Sequence, residues 1–238
     1  MLRDGGLTFD AALGHSLGEY SALVATGALG FRDALVLVKT RGEAMAAAAA
    51  RHPGVMLAVL GLDALAVDEL CLSLDSVWPA NFNSPGQVVV SCAASAAPAF
   101  EEAAKAAGAR RVLRLAVSGA FHSPLVASAA EALHGPLAAT SWATPEPAFL
   151  STCSTEFERD GFAALLERQL VSPVRFEQSI RRLAAAGYNA YLEVGPGAVL
   201  TGLVKRIDRD AAATSAGDVT TLATALGGGW ATTGEAHR

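Results

Sequence analysis

Residues 14–20 read GHSLGEY. Ser16 stands between Gly14 and Gly18, behind an apolar run at residues 7–13 and ahead of a stretch in which Tyr20, Leu23 and Val24 share a helical face. An apolar run stopped by glycine predicts a buried strand, and apolar residues three and four apart predict a helix. G-x-S-x-G between the two is the pattern of a nucleophile elbow, which lifts the serine hydroxyl above a sheet at the head of the next helix. Glycines are expected to flank the serine because the turn is strained and a neighbouring Cβ would collide. The helix dipole and the free N–H of Leu17 would favour a developing oxyanion there. The same letters also fit a helix-capping serine after a glycine turn; the strand before and the helix after favour the elbow.

Outward from the elbow, a second helix is predicted over residues 32–50, with apolar positions at Ala34, Leu35, Val38 and Met45 and an alanine run of high helix propensity. From residue 55 the texture changes. VMLAVLG reads as a strand and DALAVDELCLSL as a helix. VWPANFN and QVVVSC read as strands joined by a tight turn at Ser84-Pro85-Gly86. Residues 94–107 form a helix closed by Gly108, and RRVLRLAV is a strand. The order β-α-β-β-α-β is that of a ferredoxin-like unit. Beyond it, Ser123 and Pro124 fit an N-cap and first helical position. A strand is predicted at 149–152, helices near 160–170 and 174–186, a strand at NAYLEV, a helix at AVLTGLVKRI and a weak strand at 219–223, followed by a fraying tail. The prediction is therefore an α/β protein. Residues 1–54 and 119–238 form an α/β-hydrolase-like core with a mostly parallel sheet, and residues 55–118 form an inserted ferredoxin-like (βαββαβ) subdomain.

The 238 residues suffice for one large domain with a small insert. Hydrophobic residues at 52% and charged residues at 17% allow a substantial core. A net charge of −5 argues against a nucleic-acid surface and against a polybasic membrane patch. Charges interrupt every apolar run before the roughly 18 residues a membrane span needs, and MLRDGGLTFD lacks a signal peptide's apolar core. Cys71, Cys92 and Cys153 fit neither a disulfide framework nor a zinc spacing, so no metal and a reducing cytoplasm are expected.

A neutral serine hydroxyl needs a base. Five histidines are available: His15, His52, His122, His134 and His237. His15 leaves the turn in another direction, His52 lies in a polar linker, His134 on a helix flank and His237 in the tail. His122 follows a strand end and Gly119 and precedes a helix, which is where sites collect in α/β sheets. Asp33, Glu43, Asp63, Asp68, Glu69, Asp75, Glu101 and Glu102 read as helix-surface residues or caps, none at a strand end. A Ser16–His122 dyad, with a backbone carbonyl or amide orienting the imidazole, fits these residues, beside the commoner reading of His122 as a structural loop histidine.

The blocks GHSLGEYSALVATGAL, KTRGEAM, NFNSPGQVVVS, VSGAFHSPLV, RQLVSPVRF and LEVGPGAVLTGLVKRI, in this order over about residues 5–210, resemble those of the malonyl-CoA:acyl-carrier-protein transacylases. These are relatives of the acyltransferase domains of polyketide and fatty acid synthases. The resemblance implies that Ser16 takes malonyl as an ester from malonyl-CoA and passes it to the phosphopantetheine thiol of acyl carrier protein, with no resident cofactor. It implies that His122 moves the protons, that Arg41 binds the malonyl carboxylate, that the Gln169 backbone orients His122, and that Asn83 lines the cleft. The dipeptide Ala120-Phe121 resembles the malonyl-selective variant of the histidine block. An arginine fork suits a carboxylate on chemical grounds alone. Without the resemblance, however, Arg41 would read as a solvated helix arginine, Asn83 as a turn residue and Gln169 as a helix-surface glutamine.

One departure stands out. The family carries a further stretch ahead of the serine block, with a Gly-Gln-Gly loop whose glutamine backbone completes the oxyanion hole; only residues 1–13 precede the block here. A mis-assigned start or a fragment is the expected explanation. The competing functions are a serine hydrolase or thioesterase, a polyketide-type acyltransferase, and a non-catalytic remnant. Arg110, Arg111, Lys205 and Arg206 are candidates for a basic patch facing an acidic carrier.

Overall fold

The apolar run ahead of Gly14 contributes only a two-residue strand, β1 (Ala11–Ala12). It is followed by α1 (Gly18–Ala25) and α2 (Phe31–Arg51). The computed structural model describes residues 7–226. It divides into two units, Ala11–Phe176 and the chain from Glu177 onward together with the residues ahead of Ala11. The architecture is mixed α/β.

In the first unit, β1 pairs in parallel with β6 (Ala148–Leu150), and β6 pairs antiparallel with β7 (Phe157–Glu158). Between α2 and this sheet run β2 (Gly54–Leu60), α3 (Ala64–Ser73), β3 (Val77–Ser84), β4 (Gln87–Ala93), α4 (Ala97–Ala106) and β5 (Arg111–Arg114). These four strands form one antiparallel sheet in the order β3-β4-β2-β5. Alternation along β2 gives the sheet two different faces. Leu57 and Val59 join Val67, Phe82 and Phe100 in one core, whereas Met56 and Ala58 join Ala80 and Val89 on the other face, against Phe121. Asp63 starts α3 by accepting from Ala66 N at 2.8 Å.

The larger core of this unit lies among α1, α2, α5 (Ala127–Ala138) and α6 (Phe162–Gln169), with Leu23, Leu37, Leu133, Phe149, Phe162 and Leu166 all buried. Ser123 and Pro124 open a short 3-10 turn that leads into α5. The expected strand at RRVLRLAV stops at Arg114, because Val117 N bonds back to Leu115 O and turns the chain.

From α7 (Phe176–Ala185) on come β8 (Ala190–Val194), α8 (Val199–Ile207), β9 (Ala212–Ala216) and α9 (Val219–Leu226). The strand expected at 219–223 is instead the start of α9. Asp218 accepts from Thr221 N at 2.8 Å, and this cap outweighs the weak β-propensity of Val219 and Thr220. The strand of this region is β9, whose sequence AATSA carries little propensity and which owes its form to a parallel ladder with β8. Among the described residues no helix is long and apolar enough to cross a membrane. The tail beyond residue 226, with His237, lies outside the described residues.

The core account predicts a contrast. Leu133→Ala, at a fully buried site, is expected to cost about 2–5 kcal/mol. Leu72→Ala, at an exposed position, is expected to stay within about 0.5 kcal/mol. Urea unfolding of both variants checks this; equal midpoints would contradict it.

Candidate active site

Ser16 follows β1 and adopts φ 53°, the left-handed region that non-glycine residues enter only under constraint. A Cβ on Gly14 would overlap the backbone of Gly18 and Glu19, so this glycine is sterically required. Gly18 differs from expectation: a Cβ there meets nothing within 4 Å. Only the first glycine of G-x-S-x-G is demanded by crowding. The N–H groups of Gly18, Glu19 and Tyr20 return to the carbonyls of His15, Ser16 and Leu17. The Leu17 N–H lies one position ahead of this ladder, at the head of α1.

His122 reaches the serine from a loop 106 residues away in the chain. It too has a left-handed backbone, φ 57°. The loop is pinned just ahead of the histidine. Ser91 donates to the Phe121 carbonyl, Ser123 donates to the Ala120 carbonyl at 2.6 Å, and a Cβ on Gly119 would strike Ala49. Ser16 Oγ lies 2.8 Å from His122 Nε2. On the far side of the ring, Nδ1 lies 3.0 Å from the Gln169 carbonyl and 3.1 Å from the Ser172 carbonyl. Carbonyls only accept, so Nδ1 carries the proton and Nε2 accepts from the serine hydroxyl.

Gln169 is the last residue of α6, so its carbonyl is one of those a helix end leaves without an intrahelical partner. A helix C-terminus also carries partial negative charge, which favours an imidazolium. Helix geometry thus does here what an acid does in a triad. Burial is the largest influence on His122 and pushes its pKa down to about 4, opposed by the two carbonyls and reinforced by the positive charge of Arg41. The ring is therefore neutral and able to accept a proton at neutral pH.

Arg41, on α2, is 5% exposed and not solvated. Its Nη2 donates to Ser16 Oγ at 3.0 Å, its guanidinium lies 5.9 Å from the centre of the Tyr20 ring, and its buried Nε has no hydrogen-bond partner. Burial lowers its pKa, while Tyr20 and Glu19 oppose that shift; an arginine stays charged regardless. Asn83, on β3, is buried and accepts at Oδ1 from His15 Nε2 at 2.8 Å, so it meets the elbow through His15. Phe121 packs on the Met56–Val89 face of the four-stranded sheet. Leu17 is 45% exposed at the elbow. Gln169 is not on the helix surface: its side chain is 1% exposed and donates to Ser16 O at 3.0 Å. Of the other histidines, His134 contacts Glu167 on the surface and His52 lies at the exposed end of α2.

Sequence reasoning missed Glu19. It is 0% exposed, accepts from Ser151 Oγ at 2.9 Å, Thr152 Oγ1 at 2.9 Å and Gln169 Nε2 at 2.7 Å, and also accepts from Thr152 N. A glutamate in the first turn of a helix reads as a surface residue favoured by the dipole. The signal available was its place three residues after the serine, next to the apolar positions of α1. His15 donates from Nε2 to Asn83 Oδ1, and its ring centroid lies 5.6 Å from that of Phe176.

A serine hydroxyl shared between a neutral buried imidazole and a buried guanidinium, at the head of a helix, suits acyl transfer through a serine ester. Known proteins point the same way. The family model of the acyl transferase domain matches residues 1–226. A malonyl CoA-acyl carrier protein transacylase of Bacillus subtilis strain 168 is 42% identical over 230 residues, spanning 94% of this chain and 73% of that protein. Among solved structures, a malonyl-transacylase in complex with its type II polyketide acyl-carrier protein superposes with TM-score 0.91 at 38% identity, covering 95% of this chain and 75% of that one. The acyl-carrier-protein S-malonyltransferase of Burkholderia pseudomallei 1710b gives TM-score 0.89 at 38% identity, covering 94% and 75%. The chain belongs to the acyl transferase domain family, among the malonyl-CoA–acyl carrier protein transacylases.

The burial of His122 has a consequence for stability. The folded protein holds the ring neutral down to about pH 4, while an ordinary histidine protonates near 6.5. Between these values the unfolded chain binds the extra proton. The contribution of neutral His122 is therefore complete above about pH 6.5 and is lost as pH falls toward about 4. Denaturant midpoints measured on acidification through this window are expected to fall less steeply in His122→Gln than in the parent. Identical slopes would contradict the burial account.

Proposed function

We propose that the chain transfers a malonyl group from malonyl-CoA to the phosphopantetheine thiol of acyl carrier protein, through an ester on Ser16, in the supply of malonyl units for fatty acid synthesis. The observation that carries this reading is the shared Ser16 hydroxyl, 2.8 Å from His122 Nε2 and 3.0 Å from Arg41 Nη2.

In the first half-reaction, His122 Nε2 takes the Ser16 proton as Oγ attacks the thioester carbonyl. The Leu17 N–H faces the oxyanion that forms. Collapse breaks the C–S bond, and the imidazolium returns its proton to the CoA sulfur. In the second half-reaction, the carrier thiol gives its proton to Nε2 and attacks the ester carbonyl, and Ser16 leaves and regains that proton. The Nδ1–H stays on the Gln169 and Ser172 carbonyls throughout.

Arg41 supplies substrate selection. Its side chain already reaches the nucleophile, and its bare Nε leaves a donor for the distal carboxylate of a three-carbon diacid. Phe121 closes the pocket against a branched α-carbon, a discrimination of about 1–3 kcal/mol. Asn83, held by His15, lines the cleft. The parallel pairing of β1 with β6 supports an α/β-hydrolase-like core at residues 1–54 and 119–238. The antiparallel order β3-β4-β2-β5, with α3 and α4 in the crossovers, supports a ferredoxin-like insert at residues 55–118. Three free, buried cysteines fit a reducing cytoplasm.

Incubation with malonyl-CoA is expected to give a malonyl adduct by intact mass in the parent and none in Ser16→Ala, and the adduct is expected to discharge onto holo carrier protein. Loss of the label to water at the same rate without carrier would favour a hydrolase instead. Arg41→Ala is expected to erode the preference for malonyl over acetyl by about 10- to 100-fold, as for a lost hydrogen bond to a charged group. An unchanged preference would remove the carboxylate clamp.

A further inference from the structure

We propose that Glu19 is a positioning residue for the acyl-transfer step, acting through Gln169 on His122. The proposal rests on the acyl-transfer reading of the site and names a residue that this reading does not use.

Glu19 is fully buried, and its hydrogen-bond partners are Ser151, Thr152 and Gln169. Oε1 takes Ser151 Oγ and the backbone N–H of Thr152, and lies 2.9 Å from the Thr152 hydroxyl, whose one proton is also within reach of the Gly14 carbonyl; Oε2 takes Gln169 Nε2 at 2.7 Å. The Ser151 oxygen itself accepts from Cys153 N at 3.0 Å, which leaves its proton for Glu19. Burial pushes the Glu19 pKa up, against these bonds, which lower it. Ser151 Oγ–H, Thr152 N–H and the Gln169 amide are three donors that the two carboxyl oxygens accept. A buried carboxyl group with these donors resists any move that strands one of them.

The partner that matters is Gln169. Its amide divides its two protons between Glu19 Oε2 and Ser16 O, and its Oε1 is buried without a partner. Its backbone carbonyl receives His122 Nδ1–H at 3.0 Å. One residue therefore carries the nucleophile's backbone on its side chain and the base's proton on its main chain. Glu19 fixes the amide orientation, because the reverse orientation would put Oε1 against both a carboxylate and a carbonyl. The Gln169 carbonyl receives the His122 Nδ1–H, while Glu19 meets the Gln169 amide. The channel is thus geometric and runs through Gln169.

Glu19→Gln tests it. A glutamine at 19 can satisfy the Ser151 and Thr152 donors with its oxygen, but its amide then meets the Gln169 amide, donor against donor. If Gln169 reverses to relieve this, it turns an acceptor toward Ser16 O. Either outcome loosens the residue that holds His122. The expected result is a fall of about 10- to 100-fold in kcat for Ser16 acylation, with KM for malonyl-CoA changed by less than about threefold. The nitrogen NMR shifts of the His122 ring are expected to move from an Nδ1–H form to a mixture of tautomers. Gln169→Met, which deletes the amide and keeps the carbonyl, is expected to shift kcat and tautomer in the same direction; it carries the test if Glu19→Gln does not fold. A folded Glu19→Gln, or failing that a folded Gln169→Met, that keeps the parent's kcat and tautomer would overturn the proposal. So would a loss of kcat with the tautomer unchanged, which would make Glu19 a fold residue only. The tautomer is read without substrate, so failure of the acyl-transfer reading would leave this result separately legible.

Discussion

The hydrogen bond between Ser16 Oγ and His122 Nε2 is the constraint around which the first unit is organised. It joins two backbone positions that both lie in the left-handed region, at φ 53° and φ 57°. Such conformations cost about 1–3 kcal/mol each and persist only where the surroundings over-determine them. The surroundings do so here. Gly14 lets the elbow close, Ser91 and Ser123 clamp the two carbonyls that precede the histidine, and Gly119 gives the loop its approach to α2.

The electrostatics of the site follow from burial and not from a chain of acids. Among the described residues no carboxylate touches His122, and its Nδ1–H rests on two carbonyls, one of them at the C-terminal end of α6. Burial keeps the ring neutral and ready to accept a proton. The carbonyls favour the imidazolium once it forms. Arg41 is the buried cation of the site and shares the serine oxygen with the base. One small polar cluster thereby combines a serine hydroxyl, a neutral imidazole and a buried guanidinium, and Tyr20, Leu23 and Phe149 belong to the apolar core of the same unit.

Much of this was legible in the sequence, and the gaps have physical causes. Long, strongly patterned elements such as α2, β2 and β4 were placed to within a residue or two, because their apolar spacing is set by the faces they bury. Elements made by partners were not. β9 is a strand because β8 offers it a ladder, and α9 is a helix because Asp218 caps it; neither fact is written in the local apolar pattern. In the site, Ser16 and His122 could be argued from residue type and context. Arg41, Asn83 and Gln169 needed the family resemblance, because their alternative readings were ordinary. Glu19 is not legible, because its burial depends on which helix face turns inward. Within G-x-S-x-G, only Gly14 answers to the steric rationale; Gly18 is in open space.

The central claim is that the acyl group pauses on Ser16, so that CoA leaves before the carrier is needed. Exchange of labelled CoA into malonyl-CoA, measured with the purified chain and no carrier protein, tests this most directly. The covalent route predicts steady exchange that disappears in Ser16→Ala. Exchange that requires the carrier, or that survives in Ser16→Ala, would contradict it.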